Sequence, residues 1–483
     1  MHARGFVALS VMAASIATFA AHHLDAAAPQ QPAPLPMATS TDLGGFLTAT
    51  LAFIAADADK DGAVTREELT TAVTRWVTSA DAASAGAVTR EQLVPALNAA
   101  MPAAGLAAAF SMGGGEQPRT PVPATVELMR AALPATAPAT PARPRKVLVF
   151  ARAGGFVHST IPLAAATVEA LGERTGAWST TISYDAADIT AANLANYDAV
   201  FLASTTGAFL DEPGDEATSA ARRQALVDFV RSGKGLAGIH AATDAYHVDS
   251  TPPAPGGGAA SLLGGFSAGA LLAPVMLTQG DRNGDARLDA TEATALADAW
   301  FRTLDAAGTG RLSQADFALF ALLIPKGPAA PVAQGPDTQV GTWADFNRMI
   351  GGYFKFHWLD PQKITVKIDD PASPLTAMFK GQAFDVHDEI YTMAANSFSR
   401  DQVRVLTSLD YDKMSPEDRA LEEHPRVDHD FGLSWVRREG QGRVFYLALG
   451  HSERIYAMTP ILEHLLAGVQ YALGDLQADD TPR

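Results

Sequence analysis

Short apolar runs separated by longer mixed stretches dominate the chain from Lys146 onward. The first four runs read KVLVFA, TTISY, DAVFLAS and KGLAGIHAA. Runs of this length predict strands, and the stretches between them are long enough for helices. Strands that alternate with helices form parallel sheets covered on both faces. This part of the chain is therefore predicted to be an α/β domain.

The same alternation resumes after Gly341, with the runs KITVKI, VRVLTSL, GLSWVRR and GRVFYLALG, and it ends in an apolar-striped helix near residues 460–473. A segment of different composition separates the two stretches. It is bordered by proline- and glycine-rich sequence at 250–258 and 325–341, which is typical of linkers. We therefore predict one α/β domain in two parts, 146–250 and 341–475, interrupted by an insert at 251–340.

The N-terminal part has its own organisation. Residues 1–28 read as a secretory leader, because Arg4 precedes an apolar run and small residues follow it. A membrane anchor is the alternative, but an apolar run of about 17 residues is at the short limit for a span. Residues 113–145, dense in Pro, Ala and Thr, are predicted to be a linker. We expect a periplasmic or secreted protein with no membrane span after leader cleavage.

An acidic loop at residues 57–68 has the most regular chemical pattern in the chain. Side-chain oxygens stand at its first, third, fifth, ninth and twelfth positions, and a glycine stands at the sixth. This spacing directs carboxylates to one hard cation, and it matches the calcium loop of an EF-hand. The predicted Ca²⁺ ligands are Asp57, Asp59, Asp61, Ala63 through its carbonyl, Thr65 and Glu68.

A second loop with this spacing lies in the insert. Its sixth residue is Ala286 instead of glycine, and a non-glycine residue at positive φ costs roughly 1 kcal/mol. We therefore expect weaker binding or a slightly different turn. The predicted ligands are Asp281, Asn283, Asp285, Arg287 through its carbonyl, Asp289 and Glu292.

Both loops belong to a repeated unit. Each is followed 24 residues later by a degraded copy, which begins at Asp81 or Asp305, and Trp76 and Trp300 each lie 19 residues after the first aspartate of their loop. Identical offsets indicate duplication. We predict two all-α EF-hand-like pairs, at 41–112 and within 251–340, with the degraded loops empty or weak. The alternative for each loop is an acidic turn without a metal.

Composition excludes several classes of function. The chain of 483 residues contains no cysteine, so disulfides, thiolate metal sites and cysteine nucleophiles are excluded. A formal net charge of -17 repels nucleic acid and suits divalent cations. Calcium is therefore an expected partner, and nucleic acid is not.

Outside the leader, histidines occur only in the two parts of the α/β domain. Six of them lie in the motifs RAGGFVHS, GKGLAGIHAATDAYH, GGYFKFHW, FDVHDEIY and GRVFYLALGH. In this order the motifs resemble the ThuA-like, or trehalose-utilisation, family. The resemblance implies a flavodoxin-like parallel sheet similar to that of class I glutamine amidotransferases. It also implies a site at the carboxyl ends of the strands, where open α/β sheets generally bind ligands, and a carbohydrate as the ligand.

The candidate site follows from these motifs. In the glutamine amidotransferase superfamily a nucleophilic cysteine occupies the turn where this chain has His240, so glutaminase chemistry is excluded. We expect His240 and His451, which end apolar strands, to face one cleft and either perform acid–base chemistry or bind a transition metal such as zinc. His158, Asp244 and Glu389 are predicted to position sugar hydroxyls.

Several expectations remain open at this point. Adjacent strand residues point to opposite faces, so residues 387–389 cannot all reach one ligand, and His357 is expected to be structural or exposed. The insert follows Asp244 closely enough to act as a lid. The chain is either a carbohydrate-active enzyme with calcium-stabilised segments or a non-catalytic, calcium-dependent binding or scaffold protein.

Overall fold

The computed structural model describes residues 34–103, 105–106, 117–249, 266–306, 308–327, 339–422 and 425–483. The predicted leader at 1–28 and the border at 250–258 lie outside these residues. The described strands are β1 (Ala63–Thr65), β2 (Ala87–Val88), β3 (Lys146–Phe150), β4 (Ser179–Ser183), β5 (Ala199–Ala203), β6 (Gly235–Ile239), β7 (His247–Asp249), β8 (Leu288–Asp289), β9 (Arg311–Ser313), β10 (Gln339–Gly341), β11 (Phe354–Ile368), β12 (Phe384–Met393), β13 (Arg404–Leu409), β14 (Gly432–Glu439) and β15 (Gly442–Leu447).

The helices alternate with these strands along the α/β parts and dominate the remainder. Those described are α1 (Leu43–Ala56), α2 (Arg66–Ala80), α3 (Arg90–Ala100), α4 (Pro123–Ala132), α5 (Ile161–Thr175), α6 (Ala191–Leu194), α7 (Glu216–Arg231), α8 (Ala268–Gly280), α9 (Ala290–Leu304), α10 (Gln314–Ala318), α11 (Ala344–Ile350), α12 (Pro416–Arg419) and α13 (Thr459–Leu473).

A nine-stranded sheet forms the centre of the α/β domain, in the order β12-β11-β13-β14-β15-β6-β5-β3-β4. From β15 to β4 the neighbouring strands are parallel, as predicted. From β12 to β15 they are antiparallel, which the sequence prediction of a parallel sheet missed. Only Gly440 and Gln441 separate β14 from β15, and a two-residue connection can form a hairpin but not a parallel crossover.

The N-terminal segment and the insert share one helical core. Side chains of α1, α2 and α3 pack with those of α8, α9 and α10 in a single apolar cluster that includes both Trp76 and Trp300. Neither segment therefore buries its apolar faces alone.

The acidic loops pair between the two segments. β1 pairs with β9, and β2 pairs with β8, so each intact loop pairs with the degraded loop of the other segment. The sequence had suggested a pair within each segment. That arrangement is impossible because α2 separates the first two loops, and a helix of 15 residues holds its ends roughly 22 Å apart.

Several contacts join the helical part to the sheet domain, and two of them are the β7–β10 pair and the hydrogen bonds of Asp418. β7 pairs with β10, so the insert leaves and rejoins the domain at one point. Asp418, which is almost fully buried, accepts hydrogen bonds from Thr39 Oγ1 at 2.7 Å, from Ser40 Oγ and from Lys326 Nζ at 3.1 Å. One carboxylate thus joins the N-terminal segment, the insert and the α/β domain.

The segment predicted to be a linker, 113–145, contains helix α4. A proline in its first turn, Pro123, suits a helix start, and Met129 and Ala132 are buried in the core of the α/β domain. The proline content had predicted a linker, whereas the segment contains a short helix that packs against the α/β domain.

Candidate functional site

Four of the five predicted site residues converge. His158 follows β3, His240 follows β6 and His451 follows β15, all at the carboxyl ends of parallel strands, and Glu389 lies on β12. One ring nitrogen of each histidine and one oxygen of Glu389 lie within 4.8 Å of one another. We call these four residues the histidine cluster.

Glu389 reaches this cluster because it lies on a two-stranded ribbon formed by β11 and β12. β12 is separated from β15 by three strands, so from a flat sheet Glu389 would be roughly 19 Å away. However, β11 pairs with β13 only through residues 366–368, and its register with β12 shifts between Trp358 and Gln362. Two-stranded ribbons twist strongly and such irregularities bend them, which accounts for the approach of Glu389 to the strand ends.

The ring of His240 has a fixed orientation. Its Nδ1 lies 3.1 Å from the carbonyl oxygen of Ala448, and because a carbonyl can only accept, Nδ1 donates. In the neutral ring Nε2 then carries a lone pair, and this atom lies 3.4 Å from Oε2 of Glu389. Two lone-pair atoms facing each other need a proton or a metal ion between them. A histidine that donates its second ring N–H to a backbone carbonyl is the usual arrangement of a metal ligand.

One ring nitrogen of each histidine in the cluster is buried without a hydrogen-bond partner of suitable geometry. This holds for Nδ1 of His158, Nε2 of His240 and Nδ1 of His451, although the last lies 3.2 Å from Oε2 of Glu389. Buried polar atoms are normally paired. A group of unpaired nitrogens beside a carboxylate therefore fits a bound cation, and imidazole with carboxylate is a donor set for zinc and other first-row metals.

The charges within the cluster reinforce this interpretation. Burial would raise the pKa of Glu389, but the charges of His357 and His451 hold it well below its ordinary value. Burial lowers the pKa of His158 well below its ordinary value, and the neighbouring His240 and His451 lower it further. An ionised Glu389 and a neutral His158 are the protonation states that metal ligands require. Burial lowers the pKa of His451, but Glu389 raises it to about 10, so a metal ion bound there would displace a proton.

Asp388 supports the loop that carries His451. Its Oδ2 accepts from Gly450 N at 2.7 Å and its Oδ1 accepts from Ser452 N at 2.8 Å. Burial raises the pKa of Asp388 to about 6. As expected for successive strand residues, 387–389 do not act on one point, because Asp388 binds the backbone on either side of His451 whereas Glu389 contacts its ring.

His357 also belongs to the site, contrary to the expectation that it is structural or exposed. Its Nδ1 lies 3.0 Å from Oε1 of Glu389, and its side chain is 32% exposed, so it lies at the open side of the cluster. Burial lowers its pKa, but the charge of Glu389 raises it above the ordinary value. The signal that could have found it was its place in the motif GGYFKFHW. Tyr391, two residues after Glu389, places its ring centroid 4.4 Å from that of His240.

Asp244, the fifth predicted residue, is outside the cluster. Its Oδ1 lies 2.8 Å from Nε2 of His247, and Nδ1 of His247 lies 2.7 Å from Oε1 of Gln339. Asp244 therefore connects the site region to the stem formed by β7 and β10. Its side chain is 25% exposed and keeps an oxygen available for a ligand.

The acidic loops have the backbone expected for calcium loops. In each, the sixth N–H donates to the first carboxylate, with Gly62 at 3.1 Å from Asp57 and Ala286 at 2.8 Å from Asp281. Ala286 has φ +60°, so the insert loop makes the same left-handed turn despite lacking a glycine. The degraded loops keep this bond, from Gly86 and Gly310 to Asp81 and Asp305 respectively.

The predicted calcium ligands make contacts within their own loops and, at Asp61, with the paired loop. Carboxylate oxygens of Asp57, Asp59 and Asp61 lie within 4.8 Å of one another, and Arg311 of the paired degraded loop contacts Asp61. The ninth and twelfth loop residues also form capping boxes, between Thr65 and Glu68 in one loop and between Asp289 and Glu292 in the other. In the insert loop, Asp285 N donates to Asn283 Oδ1 and Arg287 N donates to Asp285 Oδ1, each at 2.8 Å.

The fold and the site together define a class. This is an α/β protein with an open, partly parallel sheet, a metal-capable histidine cluster at its strand ends and no amidotransferase cysteine. The family model described as ThuA, trehalose utilisation, matches residues 146–268 and 328–472. These ranges cover more than half of the chain and flank the helical insert, and the chain belongs to this family.

Two solved structures of ThuA-like proteins are similar to the chain at low sequence identity. A ThuA-like protein from Bacteroides uniformis is 15% identical, with a TM-score of 0.40, and the match covers 70% of this chain and 96% of that one. A ThuA-like protein from Parabacteroides merdae is 14% identical, with a TM-score of 0.32, covering 71% and 98%. No curated protein matches the chain. Among the described residues, no helix has the length and apolar character needed to cross a membrane.

Proposed function

We propose that the histidine cluster binds a transition metal such as zinc and forms the active site of an enzyme that acts on a carbohydrate. The observation that carries the proposal is the convergence of three buried imidazole nitrogens, none with a suitable hydrogen-bond partner, on an ionised carboxylate. The family description, trehalose utilisation, supports a sugar as the substrate.

Each side chain has a distinct role in this proposal. His158, His240, Glu389 and His451 hold the metal, which would supply Lewis-acid polarisation of a substrate oxygen. Ala448 fixes the tautomer of His240 through its carbonyl, and Asp388 fixes the loop of His451.

Two partly exposed groups face the substrate in this scheme. His357, paired with Glu389, is suited to proton transfer with a sugar hydroxyl. Asp244, held by His247, is suited to accept a hydrogen bond from one. Both keep part of their surface open to a ligand while a buried or half-buried partner fixes their orientation.

Metal analysis of the purified protein tests the site. We expect about one transition-metal ion per chain in the wild type and its loss from His240→Ala, His451→Ala and Glu389→Gln. His429→Ala is the matched control, because His429 is exposed and outside the cluster. A wild-type protein purified in the presence of zinc that retains no metal would contradict the proposal.

We also propose that the loops at Asp57 and Asp281 bind Ca²⁺ and that the protein works in the periplasm or outside the cell. Calcium binding is supported by the full set of oxygen ligands in these two loops together with their turn geometry. Extracellular modules of this type bind calcium with dissociation constants on the order of 10⁻⁴ to 10⁻³ M. Calorimetric titration should detect two calcium ions in the wild type and one each in Asp57→Ala and Asp281→Ala, whereas Asp305→Ala, in a degraded loop, keeps both.

A second candidate function is calcium-dependent sugar binding without catalysis. The stem of the insert favours it, because β7 begins at His247, whose ring contacts Asp244. Trehalose titrated with and without calcium separates the two roles of the helical part. A change in affinity means that calcium regulates the site, whereas a change in thermal stability alone means that calcium is structural.

A further inference from the structure

Phe156 is unusual in its exposure. Its side chain is 46% exposed, and among the described residues every other Phe, Tyr and Trp is buried or half-buried. Leaving a Phe in water instead of burying it forgoes roughly 1.5 to 3 kcal/mol of transfer free energy. A single exposed apolar residue is common on protein surfaces, so the significance of Phe156 depends on what lies beside its ring.

Hydrogen bonds to Thr206 hold the backbone of the Phe156 loop in place. Thr206 makes three hydrogen bonds to this loop: its carbonyl accepts from Gly154 N at 2.7 Å, and its Oγ1 accepts from Gly155 N at 3.1 Å and donates to Phe156 O at 2.7 Å. A Cβ on Gly154 would lie 2.7 Å from the backbone of Ala208, so the two loops are in close contact. The position of Phe156 is therefore fixed by the fold.

The ring stands directly beside the histidine cluster. Its centroid lies 4.8 Å from that of His158, edge to face. From His158 the ring contacts continue to His240 at 4.9 Å, to Tyr391 at 4.4 Å and to Phe354 at 4.7 Å. Phe156 is thus the exposed end of a row of rings that passes through the cluster.

Asp244 is held by the same segment, residues 206–207, that holds the Phe156 loop. Gly207, the residue after Thr206, donates its N–H to the carbonyl of Asp244 at 2.8 Å. Thr206 and Gly207 therefore hold the backbones of Phe156 and Asp244 against one short segment beside the cluster.

We propose that Phe156 is a stacking platform for the apolar face of a pyranose ring, and that it determines specificity for saccharides at the histidine cluster. A pyranose has C–H groups on one face and hydroxyls at its edge, so it matches an exposed aromatic ring beside a cluster of imidazole and carboxylate groups. Binding sites commonly combine such apolar surface with a few placed polar groups. This inference rests on the proposed function and adds the residue that recognises the sugar ring.

A protein partner explains the exposure less well. In the part of the chain that the structure describes, the other exposed large apolar side chains are Met37, Leu43, Ile54, Val122, Val248, Val340 and Val427. None of them belongs to the loop that carries Phe156, and protein interfaces are marked by contiguous apolar patches, not by single rings.

The test uses trehalose, maltose and cellobiose as probes with the metal-loaded, full-length protein. By calorimetry, Phe156→Ala should bind the preferred disaccharide about tenfold more weakly than the wild type, which corresponds to about 1.4 kcal/mol. Phe156→Tyr should retain most of the affinity. The control is Ile54→Ala, because Ile54 is equally exposed, at 45%, but lies on α1 in the helical part.

A fluorescence experiment provides a second readout that does not depend on loss of binding. Phe156→Trp should change its emission when the sugar is added, measured as the difference from the wild type with its six tryptophans. Ile54→Trp should show no change. Equal affinity of Phe156→Ala and wild type would overturn the platform and leave the proposed function standing. Failure of the metal-loaded wild type to bind any of the three sugars would overturn both the platform and the carbohydrate assignment.

Discussion

His240 shows how a single residue is strained to serve the site. Its backbone has φ +47°, in the left-handed region that costs a non-glycine residue roughly 1–2 kcal/mol. Tyr446 Oη donates to its carbonyl at 2.5 Å and Ala448 accepts from its ring, which holds the residue in this conformation. Strained residues of this kind concentrate at functional sites.

A comparison of two substitutions at this position measures the strain. In the metal-free protein, His240→Gly should be more stable than His240→Ala by about 1 kcal/mol, because glycine adopts positive φ without steric cost. Both variants lose the same ring contacts, so chemical denaturation isolates the backbone contribution. An alanine variant more stable than the glycine variant would show that φ +47° carries no strain.

The environment of Asp418 predicts that its contribution to the free energy of unfolding depends on pH. Burial raises its pKa, but hydrogen bonds from Ser40, Thr39 and Lys326 outweigh this effect and lower it below 3.8. Because the folded pKa is depressed, the carboxylate stabilises the fold above the unfolded value, and this contribution is lost as the pH falls through the folded pKa. Asp418→Asn should therefore lower the free energy of unfolding by about 1–3 kcal/mol at pH 7, and the difference should shrink below about pH 3.8. A difference that is independent of pH would contradict this.

At the scale of the helices and loops, the sequence indicated the repeated unit but not which loops pair with each other. The ligand spacing and the shared tryptophan offset identified the duplicated unit, because both are local. The pairing of β1 with β9 is not local: it depends on the length of α2 and on a core contributed by both segments. The same limit applied to Glu389, whose approach to His451 depends on the bend of β11.

The two repeats differ at one buried hydrogen bond. Trp300 Nε1 donates to Gln279 Oε1 at 2.7 Å, whereas Trp76 Nε1 is buried without a partner. Ala55 occupies the position in the first repeat that Gln279 occupies in the second. Ala55→Gln should raise the free energy of unfolding by about 1 kcal/mol, and Gln279→Ala should lower it by about 1–3 kcal/mol. Thermal unfolding measures both, and stabilisation by neither glutamine would refute the equivalence.

Because the loops pair between the two segments, a calcium ion at the proposed Asp57 site would also stabilise a strand of the other segment. In calcium, Asp57→Ala should increase hydrogen exchange at Ala63–Thr65 and also at Arg311–Ser313, because these strands pair with each other. Asp281→Ala is the matched control and should act on Leu288–Asp289 and Ala87–Val88 instead. Exchange changes confined to the mutated segment would contradict the pairing.

For the molecule as a whole, the shared helical core has a consequence for the order in which the chain is made. Residues up to Leu106 supply one half of that core, and residues from Ala268 onward supply the other. At about 5–20 residues per second, roughly ten to thirty seconds of synthesis separate the two halves. β6 waits later and for longer, because its neighbour β15 begins only at Gly442. The ribosome therefore carries a nascent chain whose first helices emerge early, and their apolar faces have no partner until the insert has been translated.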